Sequence, residues 1–199
     1  MKKSLIYALA FTIVFAVACK SDKKEADANT DAPVENSDTK TITDPSDNDG
    51  KEVWVVLNSK SGSEVTGNVI FEQKGNLVTM LATLSGLDSG VHALHLHAES
   101  DCSSEDGTST GGHWNPTAQP HGQWGSSEGY HKGDIGNVTA SDDGRATLSF
   151  TTDEWCIGCG DETKDILGKA VIVHQGTDDF TSQPSGAAGT RVSCGGVIE

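Results

Sequence analysis

The chain has 199 residues, with 29 acidic against 14 basic side chains, a formal net charge of −15 and a hydrophobic share of 35%. So acidic a balance sets aside nucleic acid and anionic membrane surfaces as partners. The length fits one domain of ordinary size with a real core once terminal segments are removed.

The opening stretch, MKKSLIYALAFTIVFAVAC, has a basic start, an apolar run from Leu5 to Val17 and small residues at Ala16 and Ala18. It reads as a secretory signal over residues 1–19, the run being too short to span a bilayer comfortably. A retained membrane anchor is the plainer alternative. Two processing routes fit the signal. AVA matches an ordinary A-x-A cleavage site, while AVAC resembles the bacterial lipoprotein signal, in which the cysteine, here Cys19, is lipidated, although Ala16 stands where leucine is usual. Cysteine parity favours the second route: five cysteines in an exported chain leave one unpaired, and lipidation of Cys19 leaves an even set. The expectation is a lipoprotein facing the periplasm or the cell exterior, touching the membrane only through its lipid.

Residues 20–50 hold many acids and almost no large apolar side chain, too little buried surface to offset the entropy of ordering, and read as a disordered acidic tether. The domain is expected over 51–199, where 20 acidic face 8 basic side chains. Short β-branched and aliphatic runs follow: EVWVVLN, EVTGNVIFEQ, NLVTMLATL, VHALHLHAE, GNVTAS, RATLSFTT, KAVIVH and TRVSC, separated by turn chemistry such as SGS, KGN, LDSG and SDDG. Eight strands predict an all-β domain. Two hairpins are expected, one turning at KGN and one at SDDG. The Gly- and Ser-rich stretches between Glu99 and Tyr130, Thr151 and Lys169, and His174 and Thr190 are then long loops, which in a domain this size are usually functional. Asn137 begins an N-V-T glycosylation pattern, of little weight in a chain with a bacterial-looking export signal.

Chemistry concentrates in the histidines. In GVHALHLHAE, strand alternation sends His95 and His97 to one face and His92 to the other, so two of the three can share a ligand. His113, His121, His131 and His174 lie in loops or at strand ends. Taken singly, each reads as an ordinary core or surface histidine.

Taken together, HALHLH, DCS, GGHWNP, HG, HKGDIGNVTA, GKAVIVH…DD and GTRVSCG, in this order and spacing, closely resemble the copper,zinc superoxide dismutases over essentially the whole domain. The resemblance implies a flattened eight-stranded Greek-key β-barrel of the sandwich class. It implies that His95, His97, His113 and His174 bind copper, that His113 bridges, and that His121, His131 and Asp134 complete a zinc site with His113. The residue types suit the chemistry: imidazoles for a redox-cycling copper, three imidazoles and a carboxylate for redox-silent zinc. The implied reaction has two strokes. One superoxide reduces Cu(II) and leaves as oxygen; a second reoxidises Cu(I) and leaves, with two protons, as hydrogen peroxide.

By the same resemblance, Asp178 is the carboxylate linking His95 to His121, with a solvated loop acid as the alternative that Asp179 fits better. Arg191 is the anion-holding arginine beside the copper, with a structural ion pair as its alternative. Cys102 and Cys194 form the intramolecular disulfide. Cys156 and Cys159, in EWCIGCGD, fall outside the pattern. A C-x-x-C can be a redox pair or half a zinc site, but with no following helix and no second ligand pair a local disulfide is expected. The loop 175–190 lacks the lysines or arginines many relatives carry, Ala93 and Leu94 replace the usual glycine and phenylalanine, and CGGVIE holds an extra glycine. The competing function is a non-enzymatic copper-binding or copper-delivery lipoprotein. A zinc hydrolase is disfavoured because four donors fill the zinc site. A homodimer is left open.

Overall fold

Alternation of apolar and polar residues sets the first three strands: in β1 (Lys51–Ser59) Val53, Val55 and Leu57 are buried while Trp54 and Val56 face outward. The same two-residue period runs through β2 (Thr66–Lys74) and β3 (Leu77–Ser85). The computed structural model describes residues 50–199; the expected signal segment, Cys19 and all of the tether but Gly50 lie outside the described residues. The remaining strands are β4 (Gly90–His97), β5 (Gly136–Ala140), β6 (Ala146–Thr152), β7 (Ala170–His174) and β8 (Arg191–Gly196), with one 3-10 turn at Thr108–Thr110. Among the described residues no helix is long and apolar enough to cross a membrane.

The eight strands form one antiparallel sheet in the order β5-β4-β7-β8-β1-β2-β3-β6, with the crossovers of a Greek key, curled into a nearly closed barrel. The KGN hairpin pairs β2 with β3 along their full length. The second expected hairpin does not form a ladder. Its turn closes, Ser141 N–H donating to Arg145 O at 2.9 Å, but β5 pairs with β4 and β6 with β3, so the two strands are the opposite edges of the sheet. The barrel closes at this turn, where long-range pairing outweighs local turn chemistry.

Phe71, Met80, Leu94, Leu96, Val171 and Val173 fill the barrel interior, and Trp155 closes one side with its ring edge-on to Phe71. Leu94 and Ala93 are both fully buried. The additional glycine of CGGVIE follows from close approach: a Cβ at Gly195 would lie 2.6 Å from Val55 Cγ1 and Val56 O of β1. β4 and β7 are buried on both faces. Their inner face meets the core, and their outer face lies under the long loops, where the histidines are.

Candidate metal centre

β4 supplies a rigid floor. Leu94 and Leu96 point into the core, which turns His95 and His97 to the outer face. His92, on the inner parity, sits at the strand's other end, its Nδ1 3.1 Å from His174 O and its Nε2 2.8 Å from Asp88 O. His174 ends β7, at a register shift that places it opposite Arg191 of β8. The loop between β4 and β5 folds back along β4. Trp114 N–H donates to Leu96 O (2.8 Å), Leu96 N–H to Gly133 O (2.9 Å) and Gly133 N–H to Trp114 O (2.9 Å), bringing His113 opposite His97 and Asp134 beside it.

Two donor sets result. One atom each from His95, His97, His113 and His174 lies within 4.8 Å of the others, and the same holds for His113, His121, His131 and Asp134. His113 belongs to both. Six ring nitrogens, one per histidine, are buried without a hydrogen-bond partner: Nδ1 of His95, His121 and His131, and Nε2 of His97, His113 and His174. Buried polar atoms are rarely left so, and six converging lone pairs fit metal ions.

The opposite edges of these rings are tied down. His95 Nε2–H donates to Asp178 Oδ2 and His121 Nε2–H to Asp178 Oδ1, both at 2.8 Å; His97 Nδ1–H donates to Gly111 O at 2.9 Å and His174 Nδ1–H to Gly189 O at 3.2 Å. Each bond fixes a tautomer that leaves the inward nitrogen a lone pair. In the second set, Asp134 Oδ2 accepts N–H bonds from Gly122 (3.1 Å) and His131 (2.8 Å), which aims Oδ1 at three Nδ1 atoms, 2.8 Å from His113, 3.0 Å from His121 and 3.2 Å from His131. The His121 and His131 approaches lack hydrogen-bond geometry despite their length. They match the ~3.3 Å edge of a tetrahedron of ligands about 2.0 Å from a zinc ion.

Burial, then neighbouring imidazoles, lower His97 to about 2, His174 to about 3 and, against the pull of Asp134, His113 to about 4, so these rings are neutral at neutral pH. Burial also lowers His121, but the Asp134 and Asp178 carboxylates overcome it and raise the ring to about 9, so without metal its Nδ1 carries a proton that an incoming cation must displace. Burial works against ionised Asp134 too, yet the three close imidazoles of His113, His121 and His131 hold it well below the usual carboxylate range.

A channel of about 370 Å³ reaches the first set, lined by His97, His113, His174 and Arg191. Arg191 donates through one terminal nitrogen to Gly107 O (2.7 Å) and Thr110 Oγ1 (3.1 Å), and among the described residues it makes no ion pair. The loop that holds it is tethered by the Cys102–Cys194 disulfide, Cα atoms 5.9 Å apart. Cys156 and Cys159 are joined as well. Asp178 is buried, while exposed Asp179 accepts local N–H bonds from Thr181 and Ser182.

Three supporting residues escaped the sequence. Gln183 clamps the backbone of His121, its Oε1 accepting from His121 N–H and its Nε2 donating to His121 O, both at 2.9 Å. Asn137 does the same for Asp178, at 2.9 Å each way, so the amide offered by the glycosylation pattern is already engaged. Gly186, at φ +67°, packs so closely that any Cβ would overlap Asp178 Oδ1 and crowd His121 Nε2. No spacing pattern announces such contacts.

Comparison with solved structures finds similarity to a double mutant of a SOD-like protein from Bacillus subtilis, in which a tyrosine and a proline were each changed to histidine. The two chains share 28% identity with a TM-score of 0.64, over 73% of this chain and 97% of that one. A family model described as copper/zinc superoxide dismutase matches residues 65–198. That match begins just before β2, ends one residue short of the C-terminus and takes in every donor described above, so the chain belongs to the copper/zinc superoxide dismutase family.

Proposed function

We propose that the domain dismutes superoxide, converting two superoxide anions and two protons to dioxygen and hydrogen peroxide, and that it does so outside the cytoplasm on a lipid anchor at Cys19. The observation that carries this reading is the set of six unpartnered histidine nitrogens converging, with Asp134, into two donor sets that share His113. His95, His97, His113 and His174 would hold copper; His113, His121, His131 and Asp134 would hold zinc. When bound, copper supplies one-electron exchange and zinc supplies fixed positive charge.

The chain's own residues do the rest. Arg191 offers the channel a guanidinium with no ion-pair partner among the described residues, which attracts and orients a small anion beside His97, His113 and His174. Asp178 accepts from the proton-bearing Nε2 of His95 and of His121, which orients both rings with Nδ1 turned inward. His113 lines the channel and is the ring placed to pass a proton to an anion there. A secretory leader ending in Ala-Val-Ala-Cys supports the location, and superoxide, an anion, crosses bilayers poorly.

A non-enzymatic copper-binding or copper-delivery protein would use the same donors. Arg191 favours dismutation, because storing a cation needs no guanidinium facing it. Superoxide generated by xanthine oxidase and followed with a detector dye separates the two on copper- and zinc-loaded protein. Decay accelerated in proportion to copper content is expected. A fully loaded protein that leaves decay unchanged is a metal carrier.

A further inference from the structure

The Cys156–Cys159 pair takes no part in the chemistry above. Its sulfurs and an Asp165 carboxylate oxygen lie within 4.8 Å of one another, a third donor set separate from the histidines. The two sulfurs are bonded across a sequence separation of 3, against 92 for Cys102–Cys194. So short a closure removes little freedom from the unfolded chain, which makes a purely stabilising role weak.

The turn is also held by hydrogen bonds that do not involve the sulfurs. Cys156 N–H donates to Lys164 O (2.9 Å) and Ile166 N–H to Cys156 O (3.0 Å), between core residues Trp155 and Ile157. Asp165 accepts N–H bonds from Gly158 and Gly160 (both 2.9 Å) and from Leu167 (3.1 Å), and Lys51 Nζ donates to Ile157 O at 2.7 Å. The three donors are therefore positioned by backbone contacts. Access is uneven: Cys159 is exposed and Cys156 buried, whereas Cys194 is fully buried with Cys102 packed beside it. A soluble thiol reaches Cys159 Sγ first.

We propose that the Cys156–Cys159 disulfide, once opened by a dithiol reductant, forms with Asp165 a binding site for a thiophilic cation, copper(I). The first thiolate of the dithiol attacks Cys159 Sγ, the S–S bond breaks and Cys156 leaves as thiolate. The second thiolate attacks the mixed disulfide and releases Cys159. Two electrons pass to the protein, the dithiol becomes a disulfide, and its two protons end on the two cysteines. Copper(I) then displaces those protons and takes two soft sulfur ligands beside the Asp165 carboxylate. Of the three donors, Asp165 lines a groove of about 640 Å³ that His113 and Asn115 also line. The inference does not depend on dismutase activity.

The test uses the full chain with both histidine sets filled by zinc. It is treated with an immobilised dithiol, assayed for free thiols and titrated without oxygen with the copper(I)–bicinchoninate complex. Two thiols more than before reduction and one equivalent of copper(I) taken from the chelator are expected, against no uptake by the oxidised protein or by Cys159→Ser. Asp165→Asn should weaken uptake by about tenfold or more. Opening of Cys102–Cys194 before Cys156–Cys159, equal uptake with and without reduction, or uptake that survives Cys159→Ser would each overturn the proposal.

Discussion

Removing the two disulfides separately should have very different effects. Cys102–Cys194 closes a separation of 92 residues and Cys156–Cys159 one of 3. In the chain-entropy description these closures stabilise by about 4.7 and about 1.9 kcal/mol. For a domain of this size each kcal/mol moves Tm by about 2–4 °C, so Cys102→Ala with Cys194→Ala should lower Tm by about 10–19 °C, and Cys156→Ala with Cys159→Ala by about 4–8 °C. Calorimetry on metal-free protein is the appropriate assay, because bound metal adds its own stabilisation and would mask the difference. The first pair also fixes the loop whose Gly107 O and Thr110 Oγ1 hold Arg191, so its loss should lower kcat/KM of the loaded protein. Equal Tm shifts for the two double variants, or a larger one for the short closure, would refute the reasoning.

Gln183→Ala leaves the His121 N–H and C=O without their side-chain partners and should weaken zinc binding by about 10–100-fold, read by chelator competition. Gly186→Ala should displace Asp178 and loosen both metals together; unchanged affinity for both would show that the loop yields freely. Tyr130 donates to Glu154 at 2.6 Å, and burial, then that carboxylate, push its phenol up to about 12. Because the folded value is raised, its contribution to stability is complete below pH 10 and lost as pH rises through about 12. In a chain beginning at Gly50 it is the one tyrosine, so phenolate absorbance reads it directly, and a midpoint near 10 would contradict the assignment. With no cation in the loop 175–190, kcat/KM should change less than about threefold between about 0.01 and 0.15 M ionic strength, and a steep fall would show steering from elsewhere.

What the sequence could disclose followed from locality. Val53, Val55 and Leu57 show the inward face of β1 because two-residue alternation survives where the other face is wet. β4 has no such alternation in its burial, since loops distant in sequence cover its outer face, yet the parity of His92, His95 and His97 still separated one ring from the other two. The SDDG turn was legible and forms; the partners of β5 and β6 were not, because they are chosen by contacts from across the barrel. The histidines and Asp134 stood out through the order of whole motifs. Gln183 and Asn137 did not, because a side chain clamping the backbone of a residue about 40 to 60 positions away leaves no spacing to read, and Gly186 did not, because what counts there is the absence of a Cβ against Asp178 and His121.

The central claim is that seven side chains hold two different ions through one shared ring. Anomalous scattering at the copper and zinc edges from crystals of the loaded protein tests it most directly. Copper should be bonded to His95 Nδ1 and to Nε2 of His97, His113 and His174, and zinc to Nδ1 of His113, His121 and His131 and to the Asp134 carboxylate. A metal found away from these atoms, or only one set occupied at full metal content, would contradict it.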